Sequence, residues 1–230
     1  MHNDHFTISV IVPAFNADKY IAEALHSVRL QTCPVAEIIV VDDGSTDRTR
    51  EIVEKFSGVR YVYQDNAGVA AALNRGCMLA SSTHIAFISA DDVWQPDKVL
   101  QQKERLLKHP NAIVFGHMIN FISPDLEPSE ALKIVCPKGS MPAYSAGTLL
   151  TKLDTFNQVG PFNEGFKVGE FVDWFGRAKD LKIEVIMIET AVSSRRLHKT
   201  NHSKTSRDSK SYTPVIKALL DRRRAKENVE

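Results

Sequence analysis

Glu37-Ile38-Ile39-Val40-Val41-Asp42-Asp43-Gly44-Ser45 decides how this chain is read. Five residues, four of them β-branched, lead directly into two carboxylates and a turn signal, so the run reads as a buried strand ending in a polar loop. The pattern recurs at Ile85-Ala86-Phe87-Ile88-Ser89-Ala90-Asp91-Asp92. In open α/β folds ligands bind beyond the carboxyl ends of parallel strands, so both acidic pairs stand where a polar ligand is expected. Adjacent carboxylates repel each other, and a hard divalent cation shared with a phosphate would relieve that cost.

Working outward, Phe6–Val12 predicts a core strand that delivers Pro13-Ala14-Phe15-Asn16 to the same edge. Asp18 is positioned to cap a helix carrying Ile21, Ala24, Leu25 and Val28 at helical spacing. Ser45-Thr46-Asp47 offers caps for a second helix, Val59–Tyr63 a third strand, Gly68–Ala80 an alanine-rich helix, and His84–Ile88 a fourth strand. Trp94-Gln95-Pro96-Asp97 reads as the opening of a charged helix. Four strand-helix units in succession predict a parallel sheet with right-handed crossovers. After residue 110 the rhythm changes: strands over Asn111–Phe121, Ala146–Thr151 and Ile183–Thr190, helices over Leu153–Val159 and Glu170–Leu181. The division expected is an α/β half over 1–110, a second half of the same domain over 111–205, and a basic tail over 206–230.

The chain has 230 residues, 43% hydrophobic, enough to build one substantial core. Its net charge of +1 implies no nucleic-acid partner. Cys33, Cys77 and Cys136 are scattered, which argues against a disulfide framework or structural zinc and suits a cytoplasmic protein. Met1–His5 lacks the regions of a signal peptide, and no apolar run approaches the ~20 residues of a membrane span, so a soluble protein is expected. Between Arg195 and Lys226, however, eleven Lys or Arg face only Asp208 and Asp221. That imbalance admits peripheral contact with the inner face of a membrane. Asp208–Thr213 reads as a mobile loop and Pro214–Lys226 as a terminal helix.

Each candidate has an ordinary alternative. Asp42 and Asp43 suit a base or ribose but also a plain Asp-Gly-Ser turn. Asp91 and Asp92 suit a metal or phosphate but also the start of a helix. Glu170 and Asp173, three apart on one helical face, suit a general base, or only the helix dipole. Arg195-Arg196-Leu197-His198 with Asn201 suits a phosphate clamp, or a solvated basic loop. The glycine-rich loop of a dinucleotide site is missing after the first strand, which argues against a nicotinamide dehydrogenase.

Together these segments resemble family 2 glycosyltransferases. The resemblance runs from Ile8-Ser9-Val10-Ile11-Val12-Pro13-Ala14-Phe15-Asn16 through Asp42-Asp43-Gly44-Ser45-Thr46-Asp47 to Asn66-Ala67-Gly68 with Asn74-Arg75-Gly76. It continues through Ser89-Ala90-Asp91-Asp92 and Gly160-Pro161-Phe162-Asn163-Glu164, covering about residues 6–202. It implies a GT-A fold, a Rossmann-like, mostly parallel sheet flanked by helices with a smaller mixed acceptor-side region, in which 1–110 binds the nucleotide sugar and 111–205 binds the acceptor and carries catalysis. It also implies an inverting transfer from a nucleoside diphosphate sugar, UDP-linked in the first instance. By resemblance Pro13, Phe15 and Asn16 line the nucleotide pocket and Asp42 contacts the base. Asn66, Gly68, Asn74 and Arg75 lie near the donor, and Asp91 holds sugar or ribose. Asp92, with His198, holds Mn2+ or Mg2+, while Arg196 and His198 face the diphosphate.

The family commonly has an acidic residue where Ser89 stands, and its usual base aspartate falls on Phe171. Base duty then passes to Glu170 or Asp173, with Glu170 favoured. The acceptor would be the hydroxyl of a saccharide, a lipid-linked molecule or another compound. A homodimer is compatible with this reading, and no specific nucleic acid is expected. A closing movement of 195–213 over the donor would exclude water. The alternatives are nucleotidyl transfer and a catalytically weak sugar-nucleotide-binding partner protein.

Overall fold

A computed structural model describes residues 6–199, 201 and 209–227. The reading of Met1–His5 lies outside the described residues, as do 200 and 202–208 of the expected closing segment. The strands are β1 (Ile8–Ala14), β2 (Glu37–Asp43), β3 (Val59–Gln64), β4 (His84–Phe87), β5 (Val93–Trp94), β6 (Ile113–Ile122), β7 (Met141–Ala143), β8 (Leu150–Lys152) and β9 (Val185–Leu197). The helices are α1 (Ile21–Arg29), α2 (Thr49–Val53), α3 (Val69–Leu79), α4 (Lys98–Lys108), α5 (Pro128–Ala131), α6 (Leu153–Val159), α7 (Glu170–Asp180) and α8 (Ser209–Glu227).

Among the described residues nine strands form one sheet, ordered β3-β2-β1-β4-β8-β6-β9-β5, with β7 added on β6. The sheet is mixed overall rather than mostly parallel: the first four strands are parallel as expected, and the mixed region expected on the acceptor side takes in five of the nine strands. β1–β2, β2–β3, β1–β4 and β6–β9 pair in parallel, while β4–β8, β6–β8, β6–β7 and β5–β9 pair antiparallel. The reversal enters at β8, three residues long, which lies between β4 and β6.

Both faces of the sheet are covered, which is why its central strands are apolar without interruption. Ile8, Val10, Val12 and Ala14 of β1 join a core under α1 and α4, whereas Ile11 points into the opposite core with Ile85 and Phe87. That second core is aromatic: Phe156 and Phe162 pack beside Trp174, and Phe171 sits against Phe115 and Phe175. Gly76 allows α3 to approach β1, since a Cβ there would stand 2.3 Å from Ile11 Cγ2.

Several local expectations change. Asp18 does not cap α1; its backbone N–H donates to Asp47, and the Ala17 carbonyl serves the first helical amides. Trp94 belongs to β5 rather than to a helix, and α4 begins at Lys98. Residues 146–148 form a 3-10 turn ahead of β8. β9 runs on through Arg195-Arg196-Leu197, so these residues are a strand and not a basic loop. Residues 209–213 are helical, whereas 202–208 lie outside the described residues. The tail helix packs on α7: Val215 is buried and meets Gly169, and Leu219 meets Gly176.

Candidate active site

The strand order reverses direction beside β1, with β2 and β3 on one side and β4 on the other, so the crevice expected of an open α/β sheet lies at the carboxyl end of β1. The loops after β1 and β2 are stitched there. Asn16, held at φ 48°, donates its N–H to Ser45 Oγ at 2.8 Å and accepts from the Thr46 N–H at 2.9 Å. The next two amides follow suit, Ala17 to Thr49 Oγ1 at 2.8 Å and Asp18 to Asp47 Oδ2 at 3.0 Å. Asp47 also takes the Thr49 N–H, which caps α2 as expected. These bonds fix the loop that leaves Phe15 exposed over the crevice, and Pro13 ends up half-buried within β1.

Asp42 is buried beneath this loop, its Oδ1 accepting from the Ser45 N–H at 2.8 Å and its Oδ2 from the Tyr61 phenol at 2.7 Å. Burial and the bond to Asp42 push the Tyr61 hydroxyl well above its usual range. Asp43 points the other way. It accepts from the Gln64 side-chain amide, the Ala67 N–H and the Gly68 N–H, anchoring the loop after β3 and the start of α3. Asn66 completes this anchor through the Asp43 carbonyl, and Gly68 supplies the φ of 93° that turns the chain into α3.

The second cluster lies beyond β4, across β1 from Asp42 and hence roughly 10 Å away by strand spacing. Asp91 Oδ2 faces His198 Nε2 at 2.9 Å and Asn201 Nδ2 at 3.3 Å. Asp92 is buried and accepts the Arg196 N–H at 3.0 Å. Burial, then the neighbouring Asp91 charge, push the Asp92 carboxyl up to about 8, against the pull of that amide and the Arg195 and Arg196 charges. The sequence places His198 with Asp92 as metal ligands; the structure places it on Asp91. Among the described residues no group of three or more His, Cys, Asp or Glu is arranged to hold a metal ion. Asp92 and His198, the expected metal ligands, are turned to different partners here, Asp92 to the Arg196 N–H and His198 to Asp91.

Arg196 is not placed to clamp phosphate. Its side chain is 2% exposed and lies between the Tyr20 and Phe121 rings at 4.7 and 4.6 Å. Nε donates to the Asp91 carbonyl at 2.9 Å, and the terminal nitrogens reach Ser123 and Glu23. With its donors spent inside the protein, Arg196 fixes the acidic loop, while His198 is the ring beside Asp91.

Asp173 departs most from expectation. It is 2% exposed, with Oδ2 bonded to Arg177 at 3.0 Å and Oδ1 to Arg222 at 2.6 Å. With both oxygens engaged by guanidiniums, Asp173 ties α7 to the tail helix, while Glu170 stands half-buried at the first position of α7 after Gly169 in the left-handed conformation. Asn74 is likewise occupied within the protein. Its side-chain amide brackets Phe162 through N–H and carbonyl and bonds Glu164 at 2.8 Å, closing the Gly160–Glu164 segment onto α3. Arg75 is half-buried beside it in α3.

Tyr61 and Glu23 do not stand out in the sequence. The one signal for Tyr61 is a phenol in a strand next to a carboxylate-bearing one, since a sheltered hydroxyl needs a partner.

Residues 9–167 match the model of glycosyl transferase family 2. The chain belongs to this family. A UDP-Glc:alpha-D-GlcNAc-diphosphoundecaprenol beta-1,3-glucosyltransferase, WfgD of Escherichia coli, is 30% identical over 213 residues, covering 87% of this chain and 81% of that protein. The putative teichuronic acid biosynthesis glycosyltransferase TuaG of Bacillus subtilis is 38% identical over 113 residues, 47% of this chain and 45% of that one. The crystal structure of S. aureus TarS 1-349 in complex with UDP-GlcNAc superposes with a TM-score of 0.69 at 22% identity, over 86% of this chain and 61% of that one. This likeness shows a shared GT-A-like fold. The chain spans only 31% and 45% of the first two curated relatives it matches.

Proposed function

We propose that this family 2 member transfers a sugar, with inversion, from a nucleoside diphosphate sugar to an acceptor hydroxyl. The carrying observation is the pair of clusters around the carboxyl end of β1: Asp42 beneath the Asn16–Ser45 stitch on one side, Asp91 with His198 on the other. The span between them suits a nucleoside diphosphate, base toward Asp42 and sugar toward Asp91. UDP is the first donor to test, because TarS has been crystallised with UDP and UDP-GlcNAc and WfgD is named for a UDP-Glc donor. A lipid-linked acceptor is the first acceptor class, by the same likeness to WfgD.

In this reading Phe15 lies over the base and Asp91 holds the sugar. Asp92 and His198 are the residues that would hold Mn2+ or Mg2+, and a bound cation would offset charge on the departing diphosphate. Glu170 takes the proton from the acceptor hydroxyl as oxygen attacks the anomeric carbon from the face opposite the diphosphate. Phe171, where the family's usual base falls, is buried in the aromatic core and leaves that duty to its neighbour. Transfer through an oxocarbenium-like state is the expected course, as in glycoside hydrolysis.

The test is incubation of the protein with a panel of nucleoside diphosphate sugars, Mn2+ or Mg2+, and saccharide and polyprenyl-diphosphate acceptors. Glycosylated acceptor of inverted anomeric configuration and free nucleoside diphosphate are expected. Pyrophosphate release would instead establish nucleotidyl transfer, and binding without product across the panel would establish a non-catalytic binder.

A further inference from the structure

We propose that helix α8 is a docking surface for an anionic lipid bilayer, deepening the transferase reading by bringing the site to a lipid-linked acceptor. One face of α8 is committed to the protein. Val215 is buried against Gly169, Leu219 lies over Gly176, and Arg222 reaches Asp173 at 2.6 Å and Asp180 at 3.3 Å. A second face is more open. Ile216 and Leu220, four residues apart, are 53% and 45% exposed, and Tyr212 one turn earlier, though its ring edges Gly169, is still 37% exposed.

Lys217, Arg223 and Arg224 are exposed on the same helix, and Asp221 is the one exposed acid among its described side chains. An apolar stripe rimmed by bases is the composition of a helix lying in a bilayer interface. Its side chains enter the acyl boundary while its cations meet anionic headgroups. No helix among the described residues is long and apolar enough to cross a membrane, so the contact is peripheral.

Charge also decides between occupants. Pairing of this stripe with a second copy would bring Lys217 and Arg224 of each chain toward those of the other, a like-charge juxtaposition that disfavours association. An acidic bilayer has the opposite sign. The geometry also links docking to the site, because α8 rests on the helix that begins with Glu170.

The experiment is co-sedimentation of the full chain, without donor or acceptor, with phosphatidylcholine vesicles containing or lacking phosphatidylglycerol. Binding that needs phosphatidylglycerol and weakens with salt is expected. Ile216→Asp with Leu220→Asp should lower it about tenfold or more, and Lys217→Glu with Arg224→Glu should weaken it and flatten its salt dependence. Both variants should keep the wild-type melting temperature and transfer to a water-soluble acceptor. No binding to acidic vesicles, or unchanged binding of both variants, overturns the proposal. So does a stripe-dependent dimer by light scattering. Because vesicle binding is read without turnover, failure of the transferase reading leaves this test intact.

Discussion

At the scale of single residues, the site separates carboxylates that face the crevice from carboxylates that hold the protein together. Asp91 keeps a partly exposed oxygen beside His198, whereas Asp173 has both oxygens tied to arginines. Two substitutions of the same kind should therefore fail differently. Glu170→Gln removes the proposed proton acceptor and should cut kcat by about 10²–10⁴-fold, with donor affinity by calorimetry and melting temperature kept. Asp173→Asn strips the counter-charge from Arg177 and Arg222 and should lower stability by about 2 kcal/mol. That is the low end for a broken internal pair, since both guanidiniums still reach water. Its kcat should fall far less than that of the glutamate variant, and a reversed order of effects in kinetics and urea unfolding would return base duty to Asp173. Arg196→Lys should behave as a structural lesion too. An ammonium cannot lie flat between Tyr20 and Phe121 while donating in three directions, so a loss of about 2–4 kcal/mol is expected in the same unfolding assay.

At the scale of elements, β1, β2 and β4 were legible because each is a local, mainly apolar run covered on both faces, and the edge strand β3 because its valines and tyrosines favour a strand, none of which needs knowledge of distant partners. The close approach of α3 to β1 depends on one missing side chain. Gly76→Ala would drive a methyl into Ile11 at 2.3 Å, within a packed core, and should cost about 1–3 kcal/mol in chemical unfolding. An unchanged midpoint would mean that the helix can slide, contrary to this packing. The second half was harder to read for physical reasons. β5 and β8 are two and three residues long, too short for any period to show. The end of β9 carries two arginines whose charge disguises a strand, because the rings that shelter Arg196 come from residues 20 and 121. The acidic loops could be placed at the sheet edge from their position after apolar runs. The pairing of Asp173 could not be read because its partner Arg222 is 49 residues away on the tail helix.

At the scale of the whole molecule, the two edges of the sheet carry different loads. The crevice lies at the carboxyl ends of β1, β2 and β4, while the opposite edge at β4 holds His84, stacked on Phe6 with ring centroids 3.7 Å apart and Nδ1 2.9 Å from Thr83 Oγ1. Burial first, then the nearby Lys152 and Lys103 charges, lower the His84 imidazole to about 4; the Thr7 backbone and Asp154 act in the other direction. The unfolded chain binds this proton near pH 6.5, so between those values it holds more protons than the folded protein, and stability must rise with pH. The full contribution is present above about pH 6.5 and is lost as pH falls through about 4, with an upper bound of about 3 kcal/mol at 1.36 kcal/mol per unit. Urea midpoints of the wild-type protein should drop from pH 7.5 to pH 5, and His84→Gln, though weaker at pH 7.5 for want of the stacked ring, should drop less. Donor binding by His84→Gln at pH 7.5 should match the wild type, because β4 separates the histidine from Asp91. A variant with the full acid-induced drop in its midpoint would place the sensitivity elsewhere, and one with impaired donor binding would show that the two edges are mechanically joined through β4.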